Sequence, residues 1–322
     1  MVDAHYDLLT ICYNCYLKND YSLIESIAQE IKTSGLRCVF ANLYFMSEQE
    51  MIDEIDPNYY NSDVAIVDMF KISKNILDKY LPDIDIIYSI EGCDYLDIAD
   101  LDLLVKEGLN SILLVWNCQN KYGSGNRSNM GLTKEGIDFI NKAISLGIGI
   151  DLSHANEATF YDMIEVIKDN QRQGKEVICY ATHSDCRALC DRKRNLDDKQ
   201  IKILGEVGGL LGLIATRNFV TDNYEISKQQ QKEEFLKHVI YAANLIGVDN
   251  LMIATDDMRF LIDVDSEYGE LSIFDYKNLK EEVSATLATY YSSDDVNKIM
   301  FKNAYERIIN KLKGETYKER NY

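Results

Sequence analysis

Proline is almost missing from this sequence. Pro57 and Pro82 are the only two in 322 residues, which excludes a proline-rich linker between domains. Basic side chains are also short: 34 Lys and Arg face 53 Asp and Glu, for a net charge of −19. Such a surface repels phosphate backbones and anionic lipid, so nucleic acid and membranes are set aside as partners. No window offers the ~20 uncharged apolar residues that a membrane span needs. The opening MVDAHYDLLT lacks the basic start and apolar run of a secretory signal, and the expected location is cytoplasmic. In that setting the eight scattered cysteines (Cys12, Cys15, Cys38, Cys93, Cys118, Cys179, Cys186, Cys190) read as reduced thiols rather than a disulfide framework. The Cys12-x-x-Cys15 pair has no second pair to complete a tetrahedral metal site, so it too reads as ordinary reduced cysteine.

What is present is globular. Hydrophobic residues make up 46% and charged residues 27%, enough for a sizeable core in two ordinary domains or one large α/β barrel. Eight short apolar runs of β type recur along the chain: VDAHYD (2–7), CVFANLYF (38–45), IDIIYSIEG (84–92), SILLVW (111–116), IGIDLSH (148–154), VICYATHS (177–184), GLLGLIA (209–215) and NLMIATDD (250–257). Amphipathic segments such as SLIESIAQEIKTSG, GLTKEGIDFINKAISLG, EATFYDMIEVIKDNQ, DDKQIKILGEVGG and KEEFLKHVIYAANLIG fill the gaps. Thr133 and Asp197-Asp198 mark helix starts, and Gly147, Gly208 and Gly247 mark helix ends. Near-continuous apolar strands alternating with helices imply parallel pairing with both faces covered. Eight such units predict a (β/α)₈ TIM-like barrel with extra C-terminal helices, a single domain over 1–322. A doubly wound open sheet ranks second, because no Gly-x-Gly-x-x-Gly follows the first strand. There is no internal repeat, and 217–234 and 258–275 read as long loops over one end of the barrel.

The four histidines are His5, His154, His183 and His238. Three of them fall at the C-terminal ends of predicted strands, which in a β/α barrel converge on one mouth. His5 and Asp7 are two residues apart, so on a strand both project toward the barrel axis. Glu91 ends strand three, His154 strand five, His183 strand six and Asp256 strand eight. Any one of these alone reads as a satisfied core histidine or a loop cap. Together they do not, because buried imidazoles and carboxylates without partners cost several kcal/mol each. A divalent-metal site, most plausibly zinc, satisfies them all. Five ligands suit two ions: Glu91 bridging, His5 and Asp7 on one, His154 and His183 on the other. Two cations sharing a water lower its pKa and make hydroxide available for metal-assisted hydrolysis. Asp256 stands nearby to take the water's proton and pass it to a leaving amine. His238 sits inside a helix pattern and reads as packing or local hydrogen bonding.

These residues resemble the membrane dipeptidase (renal dipeptidase) family of zinc peptidases, peptidase family M19, within the metal-dependent hydrolase superfamily. The most specific stretch runs from GLTKEGIDFINKAISLGIGIDLSHANEATFYDMIEV through ATHSDCRALCDRKRNLDDKQIKILGEVGGLLG, with AHYD, IEG and GVDNLMIATD outside it. The resemblance implies a binuclear zinc dipeptidase on a (β/α)₈ barrel. By the same resemblance His5 and Asp7 match the family's His-x-Asp pair, Glu91 its bridging glutamate, His154 and His183 its other histidine ligands, and Asp256 its catalytic aspartate. Arg194 matches the arginine that holds the substrate's C-terminal carboxylate, a task that the guanidinium fork suits. Arg192 and Lys193 beside it read as a solvated charge run.

Three departures from the family pattern stand out. Trp116-Asn117 replaces a histidine that helps polarise the scissile carbonyl in many members, as it does in a subset of bacterial ones; Asn117 is the candidate oxyanion donor. Trp116 is a pocket wall or core. Asp257-Met258-Arg259 stands where Phe-Asp-Gly is usual after the catalytic aspartate, in a loop bordering the substrate. Cys93 occupies a small-residue position close to the expected metals. The expected activity is hydrolysis of small dipeptides, L-D pairs included, by a homodimer as the family has it. The competing readings are a binuclear amidohydrolase acting on another amide or lactam, and a non-catalytic barrel used as a binding scaffold.

Overall fold

The computed structural model describes residues 1–44, 65–257 and 271–314. Eight parallel strands follow one another in sequence order: β1 (Val2–Tyr6), β2 (Cys38–Tyr44), β3 (Asp85–Glu91), β4 (Ser111–Leu113), β5 (Gly149–Asp151), β6 (Cys179–Ala181), β7 (Leu210–Ile214) and β8 (Leu251–Ala254). With helices between them they form the nearly closed TIM-type barrel that the alternation predicts. The seam between β8 and β1 is sewn by the Asp256 N–H, which donates to His5 O at 3.1 Å, and by the Asp3 side chain. One oxygen of Asp3 accepts the Thr255 N–H at 2.8 Å and the other accepts its hydroxyl at 2.6 Å.

Inside the barrel, Val2, Ala4, Cys38, Phe40, Ile87, Tyr180, Leu210, Met252 and Ala254 pack together. Their spacing of two along each strand is the pleat periodicity of a face turned inward. Tyr180 is the largest of these residues, and a Cβ on Gly149 would meet its hydroxyl at 2.3 Å. Glycine at the start of β5 is thus the condition for an aromatic ring at the barrel centre. Ala304, Tyr305, Ile308 and Ile309, from the C-terminal helical stretch, join the same cluster and close the end opposite the mouth. The outer faces of the strands pack on the helices in a second, larger apolar cluster.

Helix punctuation follows the sequence closely. Thr133 caps helix Lys134–Ser145, its hydroxyl accepting the Gly136 N–H, and Asp197 forms a capping box with Gln200. Gly147, Gly208 and Gly247 all take positive φ, the left-handed stop that glycine permits. Two expectations need correction. The segment 217–234 is not one long loop: it holds a helical turn, Arg217–Val220, and the start of helix Lys228–Ile246, launched by a Ser227–Gln230 capping box. The strands are also shorter than their apolar runs. β5, β6 and β8 stop at Asp151, Ala181 and Ala254, so His154, His183 and Asp256 lie two or three residues beyond them. Of the loop expected at 258–275, residues 258–270 lie outside the described residues.

Candidate metal centre

His5 reaches the barrel mouth by a local irregularity rather than by simple alternation. Asp3 pairs with Val39 and Tyr6 with Ala41, so two residues of β1, Ala4 and His5, oppose Phe40 alone. This β-bulge adds a residue that re-aims the following side chain, and Ala4 and His5 both face inward. Asp7 is not on the strand as expected. It precedes helix Leu8–Lys18 as its N-cap residue, and the turn brings its Oδ1 to 3.8 Å from His5 Nε2. Glu91 is the last residue of β3, on the inward face with Ile87.

His154 and Asp256 have φ of 64° and 46°. Among the described residues only Asn19, at a helix C-terminus, is another non-glycine with positive φ. Left-handed backbone is costly for such residues and clusters at functional sites. Here it lets the chain leave the ladder and turn a side chain back over the mouth.

The candidate side chains meet in one cluster, with His5, Asp7, Glu91 and His183 buried and His154 and Asp256 half-buried at its edge. His5 Nε2 lies 3.0 Å from Glu91 Oε2, and His154 Nε2 lies 3.2 Å from Glu91 Oε1, so the carboxylate presents one oxygen to each histidine. His183 Nε2 is 3.1 Å from His154 Nε2, and its ring stacks on His5 with centroids 3.6 Å apart. Asp256 Oδ1 is 3.8 Å from His5 Nε2. All three Nδ1 atoms have partners on the far side of their rings: the Asn42 amide at 3.0 Å for His5, Asn117 Oδ1 at 3.3 Å for His154, and Thr182 Oγ1 at 2.7 Å for His183.

The electrostatics are those of a cation site. Burial pushes the Asp7, Glu91 and Asp256 carboxyls above their ordinary range; repulsion from Glu91 and Asp256 adds to this for Asp7, and repulsion from Asp256 adds for Glu91. Burial works against charge on His5 as well. Glu91, Asp256 and Asp7 outweigh it and push His5 up to about 10. His154 and His183 are driven the other way, by burial first and then by Arg194 and His5, and stay neutral. Oδ1 of Asp7 is buried without a hydrogen bond.

A divalent metal fits this donor set. Two histidine nitrogens on one tetrahedral zinc, each about 2.05 Å from it, lie about 3.3 Å apart, close to the His154–His183 separation. Ligand atoms of His5, Glu91 and His183, and of His5, Asp7 and Asp256, lie within 4.8 Å of one another. His5 is common to both groups.

Arg194 is buried. It donates to Ser184 Oγ at 2.7 Å and to His183 O at 2.6 Å, which anchors the guanidinium beside the cluster. Arg192 pairs instead with Asp222 at the surface. Trp116 is half-buried, set edge-on to Tyr44 with centroids 5.0 Å apart and 6.0 Å from the His154 ring; it forms a wall at the mouth. Cys93 is not near the metals as expected. Its thiol lies 3.5 Å from Leu113 O within the outer apolar cluster. Cys12 and Cys15 are buried and free on the first helix. Met258 and Arg259 lie outside the described residues.

Asn42, Asp151 and Thr182 escaped the reading of the sequence. Asp151 accepts the N–H groups of Ser153 and Thr182 on one oxygen and the Thr182 hydroxyl on the other. One trace was present in the chain: Ala181-Thr182-His183 repeats as Ala254-Thr255-Asp256, a threonine directly before each site residue.

The profile of the membrane dipeptidase family, peptidase family M19, matches residues 46–321. The chain belongs to this family. By that membership it is an enzyme of the hydrolase class, grouped with metal-dependent dipeptidases. The profile match begins after β1, so His5 and Asp7 lie outside it. An uncharacterised protein from the pqqA 5′ region of Klebsiella pneumoniae is 27% identical over 212 residues, which is 63% of this chain and 73% of that protein. The chain spans about half, or less, of the length of four other curated relatives that it matches. Among solved structures, a metallo peptidase from Rhodobacter sphaeroides, liganded with a phosphinate mimic of L-Ala-D-Ala, superposes with a TM-score of 0.74. Its identity is 19%, over 95% of this chain and 98% of that one. The metallo peptidase named dipeptidase AC, also of family M19, gives 0.72 at 20% identity over the same shares. Both likenesses are of fold. No helix among the described residues is long and apolar enough to cross a membrane.

Proposed function

We propose that this member of the dipeptidase family hydrolyses the single peptide bond of small dipeptides at a centre of two zinc ions. His5, Asp7, Glu91, His154 and His183 would hold the pair, with Glu91 shared between them. When bound, the metals supply Lewis acidity toward the scissile carbonyl and lower the pKa of water at the site. The observation that carries the reading is Glu91, whose two oxygens face His5 and His154 separately in a cluster whose imidazoles all turn Nε2 inward.

Asp256 accepts a proton from the attacking water at its carboxylate and returns it to the leaving amine. Its raised pKa favours holding that proton between the two transfers. Arg194, fixed by Ser184 Oγ and His183 O, keeps further N–H groups for a substrate carboxylate. Asn117 turns its oxygen to His154, which leaves its amide N–H groups for a developing oxyanion. Trp116 and Tyr44 shut water out from one side.

The test is hydrolysis of a dipeptide panel by protein stripped with a chelator and then reloaded with zinc, with metal content measured alongside. L-D pairs belong in the panel, because the Rhodobacter sphaeroides protein was solved with a mimic of one. Turnover that requires zinc and falls by 10²-fold or more (order of magnitude) on C-terminally amidated substrates supports the reading and the role of Arg194. Two bound metals without turnover of any dipeptide would sink the substrate assignment and move the search to other amides and lactams.

A further inference from the structure

A histidine can offer Nε2 to a metal only when its remaining proton sits on Nδ1, and something must keep it there. The three site histidines differ in how firmly this is arranged. Asn42 and Asn117 present amides, which offer either an oxygen or an NH₂ group. Thr182 presents a hydroxyl whose own proton is already committed. In its carboxylate form Asp151 only accepts, and its Oδ1 is occupied by the N–H groups of Ser153 at 2.9 Å and Thr182 at 3.1 Å. The Thr182 hydroxyl therefore donates to Asp151 Oδ2. Its oxygen is left as an acceptor, 2.7 Å from His183 Nδ1 and 3.4 Å from Ser153 Oγ, and a bare Nδ1 would meet it lone pair to lone pair, so the shorter contact calls for an Nδ1–H. Asp151 and Thr182 are buried, with 2% of the surface of each exposed, so no solvent competes for these bonds.

We propose that Asp151 and Thr182 act as a positioning pair that locks His183 in the Nδ1–H tautomer, directing the Nε2 lone pair at the metal. The proposal rests on the reading of this site as a metal centre. His238 is its internal opposite. His238 Nδ1 accepts the Cys186 N–H at 3.1 Å, and Nε2 donates to Val220 O at 2.9 Å. That fixes the other tautomer and leaves no nitrogen for an ion.

The lock can be reversed by one isosteric change. In Asp151→Asn, the amide oxygen must stay facing the two backbone N–H groups, which puts the NH₂ group against Thr182 Oγ1. The hydroxyl then turns its proton to the nearer of its two remaining acceptors, His183 Nδ1 at 2.7 Å rather than Ser153 Oγ at 3.4 Å, and so favours the Nε2–H form. Nitrogen-15 NMR of the metal-free protein, with only four histidines to assign, reads the tautomer directly. The expected result is Nδ1–H at His183 and Nε2–H at His238 in the natural chain, with His183 switched in Asp151→Asn. Zinc affinity, measured by competition with a colorimetric chelator, should fall about 10–100-fold in Asp151→Asn and in Thr182→Val. It should recover in Thr182→Ser, which keeps the hydroxyl. An Nε2–H His183 in the natural chain would overturn the proposal, as would Asp151→Asn with unchanged tautomer and zinc affinity. Failure of the natural chain to bind zinc would tell against the metal centre instead, while the tautomer spectrum would still decide the lock.

Discussion

Two aspartate–threonine clamps grip the upper rim of the barrel on opposite sides, and they are built alike. Asp3 accepts the N–H of His5, two residues on, at 3.4 Å, together with the N–H and hydroxyl of Thr255 just past β8. Asp151 accepts the N–H of Ser153, two residues on, together with the N–H and hydroxyl of Thr182 just past β6. In each case the residue after the threonine, Asp256 or His183, belongs to the candidate site. The clamps differ in where their bonding continues. From Asp3 it runs outward to the Tyr276 hydroxyl at 3.0 Å, and the clamp joins residues 252 apart in sequence across the seam. From Thr182 it runs inward to His183 Nδ1. The same three bonds hold the barrel shut on one side and aim a ligand on the other, so they should fail differently when cut.

The most severe break falls on the residue that the seam clamp delivers. Asp256→Asn keeps shape and backbone bonding but cannot take up a proton. Its kcat should fall by about 10²–10⁴-fold while bound zinc stays near two per chain; equal turnover would remove Asp256 from proton transfer. Cutting the seam itself comes next. Asp3→Ala leaves the Thr255 N–H and hydroxyl and the Tyr276 hydroxyl buried without that partner, a loss of about 3 kcal/mol. Melting should drop by roughly 4–5 °C, with a smaller proportional effect on zinc affinity than Asp151→Asn produces. A variant that melts like the natural chain yet loses zinc would erase the distinction between the clamps.

The mildest test uses the buried histidine that lies outside both clamps. Burial holds His238 down to about 4, against an ordinary value of 6.5. Between these two pH values the unfolded chain binds the proton and the folded chain does not, so stability falls as pH drops from 6.5 toward 4. The share due to His238 is about 3 kcal/mol at most. Chemical denaturation of the natural chain and His238→Gln across that window should show a shallower slope for the variant. Parallel curves would mean that His238 has no share in the acid loss.

Much of the architecture was legible from local pattern. The helix stops at Gly147, Gly208 and Gly247 and the starts at Thr133 and Asp197 could be read because caps are satisfied by neighbours in sequence. The strands could be read as apolar runs but not bounded. Their outer residues continue in character past the point where the ladder ends, and only pairing partners show that β5 stops at Asp151. Strand alternation is not what brings His5 and Asp7 together: a bulge turns His5 inward and a helix turn brings Asp7 back. Nearness in sequence to Glu91 does not carry Cys93 to the mouth, because its side chain packs in the outer apolar cluster.

The sequence by itself determined the order of eight strands and the helices between them, because period-two and period-3.6 apolar patterns are local properties. It also held a chemically improbable coincidence, three of four histidines and several carboxylates at strand ends, that a closed barrel would gather at one mouth. Tertiary structure alone decided which nitrogen of each histidine turns inward, that Glu91 divides its oxygens between two neighbours, and that matching Ala-Thr dipeptides take different tasks. Those outcomes depend on hydrogen-bond partners brought from strands far apart in the chain, such as Asp3 with Thr255, and such pairings carry no signature until the barrel closes.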